Sequence, residues 1–185
     1  DYRYDNLGRL WRVQPDVQIN NQRVPNTEYG YDEVGNKLTQ TDANGHATTW
    51  RYDYHGRVLS RTLPEGMSES FVYDDTARTQ THTDFNGRST VTRYDVMGRV
   101  ERIEYHDGNV ENFTYWNNDQ IHTVIDQHGT TTYTYDNRDR LDTETQPDGT
   151  VLDYDYDDAG QRTELKLTRN NSVVSTTTYL YHDRT

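Results

Sequence analysis

The chain alternates short runs of aromatic, β-branched and threonine residues with short polar runs that contain glycine, aspartate and asparagine. Within the apolar runs, aromatic side chains often stand two residues apart, as in Tyr29-Gly30-Tyr31 and Tyr133-Thr134-Tyr135. Residues two apart lie on one face of an extended strand, and aromatic and β-branched residues favour strands. The pattern therefore predicts many short strands joined by tight turns, with one aromatic face and no helix.

The aromatic positions recur with a nearly constant period, which predicts a ladder of rings along a sheet. A tyrosine that is usually followed by aspartate anchors each unit, and successive anchors are 27, 21, 21, 21, 21, 20, 21 and 25 residues apart. Such a period is typical of stacked repeats, in which no unit buries its apolar face alone. The predicted structural ladder consists of Tyr4, Tyr31, Trp50, Tyr52, Phe71, Tyr73, Tyr94, Phe113, Tyr115, Tyr133, Tyr135, Tyr154, Tyr156, Tyr179 and Tyr181.

Each unit is predicted to contain two turns. The first is Tyr-Asp-x-x-Gly, in which glycine supplies a positive φ angle and aspartate bonds nearby backbone. The second is a dipeptide ending in glycine, such as Asn44-Gly45 or Asp148-Gly149, and this dipeptide between strands predicts a type I′ hairpin turn. The glycines of the second turn are Gly45, Gly66, Gly87, Gly108, Gly129 and Gly149.

These units predict an all-β fold, a repeat array of antiparallel β-hairpins. About eight units of about 21 residues give about 16 strands, and open sheets of more than about 10 strands usually curl. We therefore expect a curved, spiralling sheet. Longer hairpins are predicted near 13–28 and 165–179, with tips at Asn20-Asn21 and Asn170-Asn171. Residues 1–185 are interpreted as a single array and, because the chain opens and closes inside repeats, as a fragment of a larger protein.

An arginine five residues after the anchor tyrosine is predicted to pair with the aspartate that follows that tyrosine. A planar guanidinium can hold a carboxylate with two hydrogen bonds and so fix the register of stacked units. The unit 115–135 carries Trp116 and Gln120 at these positions and is expected to hold its register by packing alone. The candidate pairs are Asp5 with Arg9, Asp53 with Arg57, Asp74 with Arg78, Asp95 with Arg99, and Asp136 with Arg140.

Composition restricts the function classes. Leu, Ile, Val and Phe are scarce and the net charge is −12, a combination typical of disorder, but 16 tyrosines carry the apolar surface instead. The acidic balance argues against a nucleic-acid partner, which would need clustered Lys and Arg. No apolar run is long enough for a membrane span, and the lack of cysteine excludes disulfides and thiolate chemistry.

Candidate chemistry is weak in this sequence. The seven histidines form no metal-ligand pair, and Asp42-Ala43-Asn44-Gly45 begins like a calcium loop but lacks the later glutamate. No nucleophile motif is present, so no metal site, no cofactor and no enzymatic activity are predicted. Aromatic rings in a repeat can also stack on sugars, which leaves a glycan-binding or adhesive cell-surface module as the alternative. We favour rings that join strand to strand.

The string Tyr-Asp-x-x-Gly-Arg-Leu/Val, followed by x-Asp/Asn-Gly and a strand ending Tyr-x-Tyr-Asp, resembles the YD repeat of the Rhs family. The match is best at 52–58, 94–100 and 133–141, and the resemblance covers essentially the whole chain. The family includes bacterial Rhs and wall-associated polymorphic toxins, the B and C components of insecticidal toxin complexes, and teneurins.

The resemblance implies a secreted or cell-surface shell of winding β-sheet. In the toxins of this family, the shell encloses a C-terminal effector domain until delivery. The implied partners are therefore the remaining YD repeats of a parent shell and an enclosed toxin or effector polypeptide. The family's self-cleavage segment, which contains an Asp-Pro motif, is absent here. Any catalytic activity of a parent is accordingly expected outside these residues.

Overall fold

The fold was analysed in a computed structural model, which describes residues 1–15, 18–19, 22–23 and 26–181. The described residues form strands and turns and contain no helix, so no helix is available there to cross a membrane. The chain divides into two compact units, 1–91 and 92–185. The predicted all-β class, built from antiparallel hairpins, is confirmed.

The described residues of the first unit form ten strands, and an eleventh strand spans position 91, where the units divide. Their bounds are β1 (Tyr2–Tyr4), β2 (Leu10–Val13), β3 (Gln18–Ile19), β4 (Gln22–Arg23), β5 (Thr27–Tyr31), β6 (Lys37–Thr41), β7 (Ala47–Tyr52), β8 (Val58–Thr62), β9 (Ser68–Asp74), β10 (Thr79–Thr83) and β11 (Ser89–Tyr94). The second unit continues with β12 (Val100–Glu104), β13 (Val110–Tyr115), β14 (Ile121–Asp126), β15 (Gly129–Tyr135), β16 (Leu141–Thr145), β17 (Val151–Tyr156), β18 (Arg162–Arg169) and β19 (Ser172–Thr178).

Each unit is an antiparallel meander. In the first unit, β1 pairs with β2, β2 with β5, and each strand from β5 to β9 with the next. Strands β3 and β4 form a separate two-stranded ribbon in the insertion, whose predicted tip, Asn20-Asn21, lies outside the described residues. In the second unit, each strand from β12 to β18 pairs with the next.

A β-bulge accompanies the anchor tyrosine in most of the repeats of about 21 residues. Arg51 pairs with Ser60 whereas Tyr52 pairs with Val58, so Leu59 is the extra residue. A bulge bends the strand and increases its local twist, and it is absent at Tyr73. The same shift occurs at Tyr4, Tyr31, Tyr115, Tyr135 and Tyr156.

The second turns lie where the sequence predicts them, but the predicted type I′ geometry is wrong. At Asn44-Gly45, the Gly45 N–H donates to the Asp42 carbonyl (3.0 Å) and the Asp42 N–H donates to the His46 carbonyl (2.9 Å). Only Gly45 has a positive φ, +85°. This is a type I turn followed by a left-handed residue in a bulge, the three-residue hairpin loop. The same pattern recurs at Gly66, Gly87, Gly108 and Gly149.

The residues ahead of each dipeptide explain the type I geometry. Pro64 and Pro147 occupy the first central position, where proline fixes φ near about −65° and excludes the positive φ of type I′. At the other turns a side chain assists: one carboxylate oxygen of Asp42 accepts the N–H groups of Asn44 (2.8 Å) and His46 (2.9 Å). The turns at Gly45 and Gly87 thus use the same Asp-x-x-Gly chemistry as the first turn. The turns at Gly66, Gly108 and Gly149 have Leu63, Tyr105 and Gln146 in place of that aspartate.

Two turns differ from this scheme. Asn170 and Asn171 both have positive φ, +49° and +57°, so the tip of the long β18–β19 hairpin has the signs of a type I′ turn. Gly129 is not at a tip but begins β15 with φ +129°. A Cβ there would lie 2.8 Å from the Pro147 Cβ, so glycine is required by close approach as well as by φ.

Neither unit buries a hydrophobic side chain among the described residues, and Thr150, 2% exposed, is the buried polar residue. Most strand residues are instead half-buried. Within the described residues, the rings of each meander are covered by neighbouring side chains. The cohesion of each meander depends on contacts between consecutive repeats, as in other stacked architectures.

Candidate functional site

The most regular feature of the chain is a contact between consecutive repeats, which we call the clasp. It joins the aspartate after one anchor tyrosine, the arginine four residues later, and the next anchor tyrosine. In the clasp of Asp53, Arg57 and Tyr73, one Asp53 oxygen accepts the N–H groups of His55 and Arg57, each at 2.9 Å. The other Asp53 oxygen accepts the Arg57 Nε at 2.7 Å. The turn therefore fixes the direction of the arginine side chain.

The guanidinium then reaches the next repeat. Its central carbon lies 4.3 Å from the centroid of the Tyr73 ring, and Nη1 donates to Asp75 Oδ1 at 2.6 Å. The Tyr73 hydroxyl donates back to the Val58 carbonyl at 3.0 Å. A cation over an aromatic face is attracted by the ring quadrupole, and charged donors form the stronger hydrogen bonds. One arginine thus binds its own turn, the next ring and the next turn together.

The clasp recurs at three further junctions. The arginine-to-ring distances there are 5.0 Å for Arg9 over Tyr31, 4.5 Å for Arg99 over Tyr115, and 4.5 Å for Arg140 over Tyr156. The guanidinium Nη1 donates to Asp32 O, Asp119 Oδ1 and Asp157 O, respectively. The tyrosine hydroxyls of these junctions donate to Leu10 O, Val100 O and Leu141 O.

The predicted aspartate–arginine pairing is confirmed at these four junctions. The N–O distances are 2.7 Å for Asp5–Arg9, 2.7 Å for Asp53–Arg57, 2.7 Å for Asp95–Arg99 and 2.6 Å for Asp136–Arg140. The fifth turn differs in form, since Ala77 replaces glycine and the left-handed conformation moves to Arg78 (φ +54°). Pairing of Asp74 with Arg78 stays a prediction.

The clasp shifts the ionisation of its members. The side-chain hydrogen bond from Arg140, together with the Arg140 backbone N–H, holds the pKa of Asp136 below its ordinary value. Hydrogen bonds to Asp75 and to Asp53 raise the pKa of Arg57. Burial raises the pKa of the Tyr115 hydroxyl. All three shifts keep the clasp in its ion-paired, hydroxyl-donating form at neutral pH.

Three junctions lack the arginine, because Asn36, Gln120 and Gln161 stand at its position, and the first two lie beside cavities. At the first, Asn36 replaces it and donates Nδ2 to Asp32 Oδ2 at 2.8 Å. A cavity of about 590 Å³ lies there, lined by Asp32, Asn36, Tyr52 and Asp53 among others.

At the second junction, Gln120 replaces the arginine and Trp116 replaces the aspartate, beside a cavity of about 370 Å³ that includes Tyr135. The expectation that this unit holds its register by packing alone is wrong. Gln120 Nε2 donates to the Asp139 carbonyl at 2.6 Å, and Asn118 Nδ2 donates to Asp139 Oδ1 at 2.8 Å. Neutral amides bridge the turns here because they can reach the same acceptors as a guanidinium.

Most of the predicted ladder is half-buried, whereas Tyr4 (60%) and Tyr181 (54%) are exposed. Cations cover several rings: Lys37 Nζ lies 4.0 Å from the Trp50 ring, and Arg162 lies 4.4 Å from that of Tyr179. Phe71 stacks instead on His82, with ring centroids 4.5 Å apart. Ring-to-ring contact along the ladder stays a prediction.

The reach of the arginine to the following ring is the feature that sequence reasoning missed. A constant spacing in the sequence could have indicated this contact. Each of the three arginines Arg57, Arg99 and Arg140 stands 16 residues before the tyrosine that it covers. No group of three or more His, Asp or Glu side chains in the described ranges is placed to hold a metal ion.

Solved structures share this fold. A structure of TcdB2-TccC3-TEV aligns with 98% of this chain and 12% of its own length, with a TM-score of 0.63 and 15% sequence identity. The structure of TcdB2-TccC3 also aligns with 98% of this chain and 12% of its own length, with a TM-score of 0.59 and 14% sequence identity. The Photorhabdus luminescens Tc holotoxin pore with a TccC3 variant gives the same values as TcdB2-TccC3.

These likenesses establish the fold alone, and the chain spans about an eighth of the length of those proteins. No curated protein matches the sequence. The family model described as teneurin YD-shell matches residues 1–185, which include every clasp and both turns of each repeat. This whole-length match agrees with the resemblance to Rhs-type YD repeats, and the chain belongs to the teneurin YD-shell family.

Proposed function

We propose that this chain is a structural segment of a YD-repeat shell that encapsulates or displays another polypeptide. The observation that carries the proposal is the clasp, which links repeat to repeat along the chain through the same three groups. Such a linkage suits a wall that must stay closed. The similar TcdB2-TccC3 assemblies support the proposal at the level of fold.

The proposed partners are further YD repeats and an enclosed effector, such as a toxin, in a protein that acts outside the cell or at its surface. We propose no catalytic role for these residues. The carboxylates nearest to the rings are occupied: the Asp53 and Asp136 oxygens already accept bonds from their own turns. Acids held in this way fix backbone rather than exchange protons with a substrate.

The test uses the longer protein that contains this segment. Replacing Arg57 and Arg99 by alanine should open the wall and expose the enclosed polypeptide to limited proteolysis, while intact protein protects it. Arg93→Ala is the matched control, because Arg93 is half-exposed and lies outside the clasps, 3.7 Å from Glu101. Equal cleavage of the enclosed polypeptide in wild-type and clasp-deficient protein would contradict encapsulation.

Glycan binding is the second candidate, and one observation favours it. Tyr54 is 89% exposed beside the cavity at Asp32, so a sugar could stack on its ring. A glycan array probed with the 185-residue chain tests this directly. Binding that is lost in Tyr54→Ala and retained in Arg57→Ala would favour an adhesive module over a shell wall.

A further inference from the structure

The junction between the second and third anchors retains two of the three clasp groups and lacks the third. Asp32 keeps the position of Asp53, and Tyr52 keeps the position of Tyr73, with its hydroxyl donating to the Lys37 carbonyl at 2.9 Å. Asn36 stands where other repeats carry arginine. Its amide reaches Asp32 but is too short to lie over the next ring, and the cavity of about 590 Å³ marks the difference.

We propose that this cavity, defined by Asp32, Asn36 and Tyr52, is a receptor for the guanidinium group of an arginine side chain from another polypeptide segment. The molecule itself supplies the precedent, because a guanidinium lies 4.3–5.0 Å from the anchor ring at all four junctions described as clasps. The proposal does not depend on encapsulation, since the segment that supplies the arginine could come from outside or inside a shell.

The local charges favour a cation in this cavity. Burial raises the pKa of Tyr52, and the negative charge of Asp32 raises it further. Burial also raises the pKa of Tyr115, which Arg99 covers, but there the positive charge of Arg99 lowers the pKa and opposes the effect of burial. The nearest cation of this repeat, Lys37, lies 4.0 Å from Trp50 and donates to Gln40, so it serves a different ring.

The shape of the cavity also matches the clasp. Its lining includes the Asp32 side of one turn and the Asp53, Tyr54 and His55 side of the next. A clasp arginine contacts the two equivalent turns one repeat earlier: Arg9 Nε binds Asp5 and its Nη1 donates to the Asp32 carbonyl. A guanidinium delivered from outside would therefore find a carboxylate, an aromatic face and a second turn in the arrangement that Arg9 uses.

The second arginine-less junction provides an internal comparison. Its cavity contains Tyr135, but Trp116 has replaced the carboxylate, and amides of Asn118 and Gln120 already bind the next turn. Asp136 and Asp139 also line that cavity, but a guanidinium there would lack the carboxylate that Asp32 supplies from the preceding turn. We therefore assign the receptor to the Asp32–Tyr52 junction and expect the junction at Tyr135 to bind a guanidinium about tenfold more weakly or not at all.

The experiment is an amide-resonance titration of the 185-residue chain with N-acetyl-arginine amide. We expect saturable shifts in residues 32–36 and 52–56, and shifts about tenfold weaker in apparent affinity with the neutral citrulline analogue. An arginine-containing peptide gives the same local shifts if a polypeptide is the source. If only the free amino-acid derivative binds, the site accepts a small guanidinium compound and the assignment to a polypeptide is overturned.

Asn36→Arg is the decisive variant, because it places in cis the residue that Arg57 and Arg99 supply elsewhere. It should abolish the shifts at this junction and raise the melting temperature, so loss of binding cannot be ascribed to misfolding. Gln120→Arg is the matched control and should leave binding at Asp32 unchanged. Undiminished binding in Asn36→Arg, equal shifts with citrulline, or saturable binding of methyl glycosides in place of arginine would overturn the proposal.

Discussion

Individual residues show how a repeat keeps its first turn when another residue replaces the usual glycine. The position four residues after the anchor needs a left-handed backbone, which glycine adopts freely. Asp119 and Asp139 replace glycine and keep that conformation, with φ of +67° and +61°. Ala77 does not keep it, and the positive φ passes to Arg78. Aspartate tolerates the left-handed region better than alanine because its side chain bonds locally.

The first prediction concerns Gly98, which has φ +82° and open space where a Cβ would stand. Gly98→Ala should destabilise the chain by about 1 kcal/mol, because the penalty comes from φ alone. Gly98→Asn, which mimics Asp119 and Asp139, should cost less. Urea unfolding measures both, and equal losses for the two variants would show that φ is not the cause.

The second prediction concerns the hydroxyl of Tyr115, which donates to the Val100 carbonyl at 2.7 Å. Tyr115→Phe keeps the ring under Arg99 and removes this hydrogen bond, so we expect a loss of about 1 kcal/mol. Tyr135→Phe is the control, since within the described residues the Tyr135 hydroxyl has no such bond at the arginine-less junction. A loss in Tyr135→Phe as large as that in Tyr115→Phe would refute the assigned role.

At the scale of the element, the aspartate turn sets the direction in which the arginine side chain points. The Asp136 carboxylate accepts the backbone N–H groups of Arg138 (2.8 Å) and Arg140 (3.0 Å) as well as the Arg140 Nε (2.7 Å). These bonds fix the turn and aim the guanidinium before any contact with the next repeat forms. The bulge at Tyr135 then sets the register of the following strand pair.

The third prediction follows from the lowered pKa of Asp136. A carboxylate with a lower pKa in the folded state stabilises that state above its unfolded pKa, and this contribution is lost as pH falls through the folded value. From the ordinary value of 3.8, the melting temperature should be steady above about pH 5 and fall below about pH 4. Asp136→Asn should lower the neutral-pH melting temperature and make this acid limb less steep without abolishing it, because the pKa values of other turn aspartates such as Asp5, Asp53 and Asp95 are lowered too.

Asp155→Asn is the control for that titration, because Asp155 is exposed on β17 and belongs to no clasp. At neutral pH its melting temperature should match that of the wild-type protein. If Asp136→Asn and wild type lose stability in parallel on acidification, the clasp carboxylate does not carry the acid dependence.

At the scale of the whole molecule, the sheet units lack an apolar core in the described residues. Burial of apolar surface is the main stabilising contribution in most domains. We therefore expect a small free energy of unfolding for a chain that is held together by half-buried rings and cations. The fourth prediction is that the isolated 185 residues unfold with a free energy below about 5 kcal/mol.

Adding repeats of the longer protein at either end should raise that stability, because stacked arrays gain a favourable interface with each added neighbour. Urea titrations of the chain with and without two further repeats measure the effect. A stability of the isolated chain above about 10 kcal/mol, unchanged on extension, would mean that the described contacts already form a complete fold.

The local features of this protein follow from the order of its residues. Strand positions follow from alternation, and turn positions follow from glycine and aspartate. The Asp53–Arg57 and Asp136–Arg140 pairs follow from a separation of four residues within one turn, where few conformations compete. Family membership follows from the same local motif repeated in register.

The contacts between repeats, in contrast, arise from the way the strands pair in space. The Arg57 guanidinium covers Tyr73, 16 residues away, because the strand pairing and the bulge at Tyr52 bring that ring beneath it. The same register opens a cavity where Asn36 is too short to follow. Turn type also belongs here, since the backbone angles of Asn44-Gly45 depend on the hydrogen bonds of Asp42 and the strands beside it. These features depend on distances through space, which a spacing along the chain does not specify.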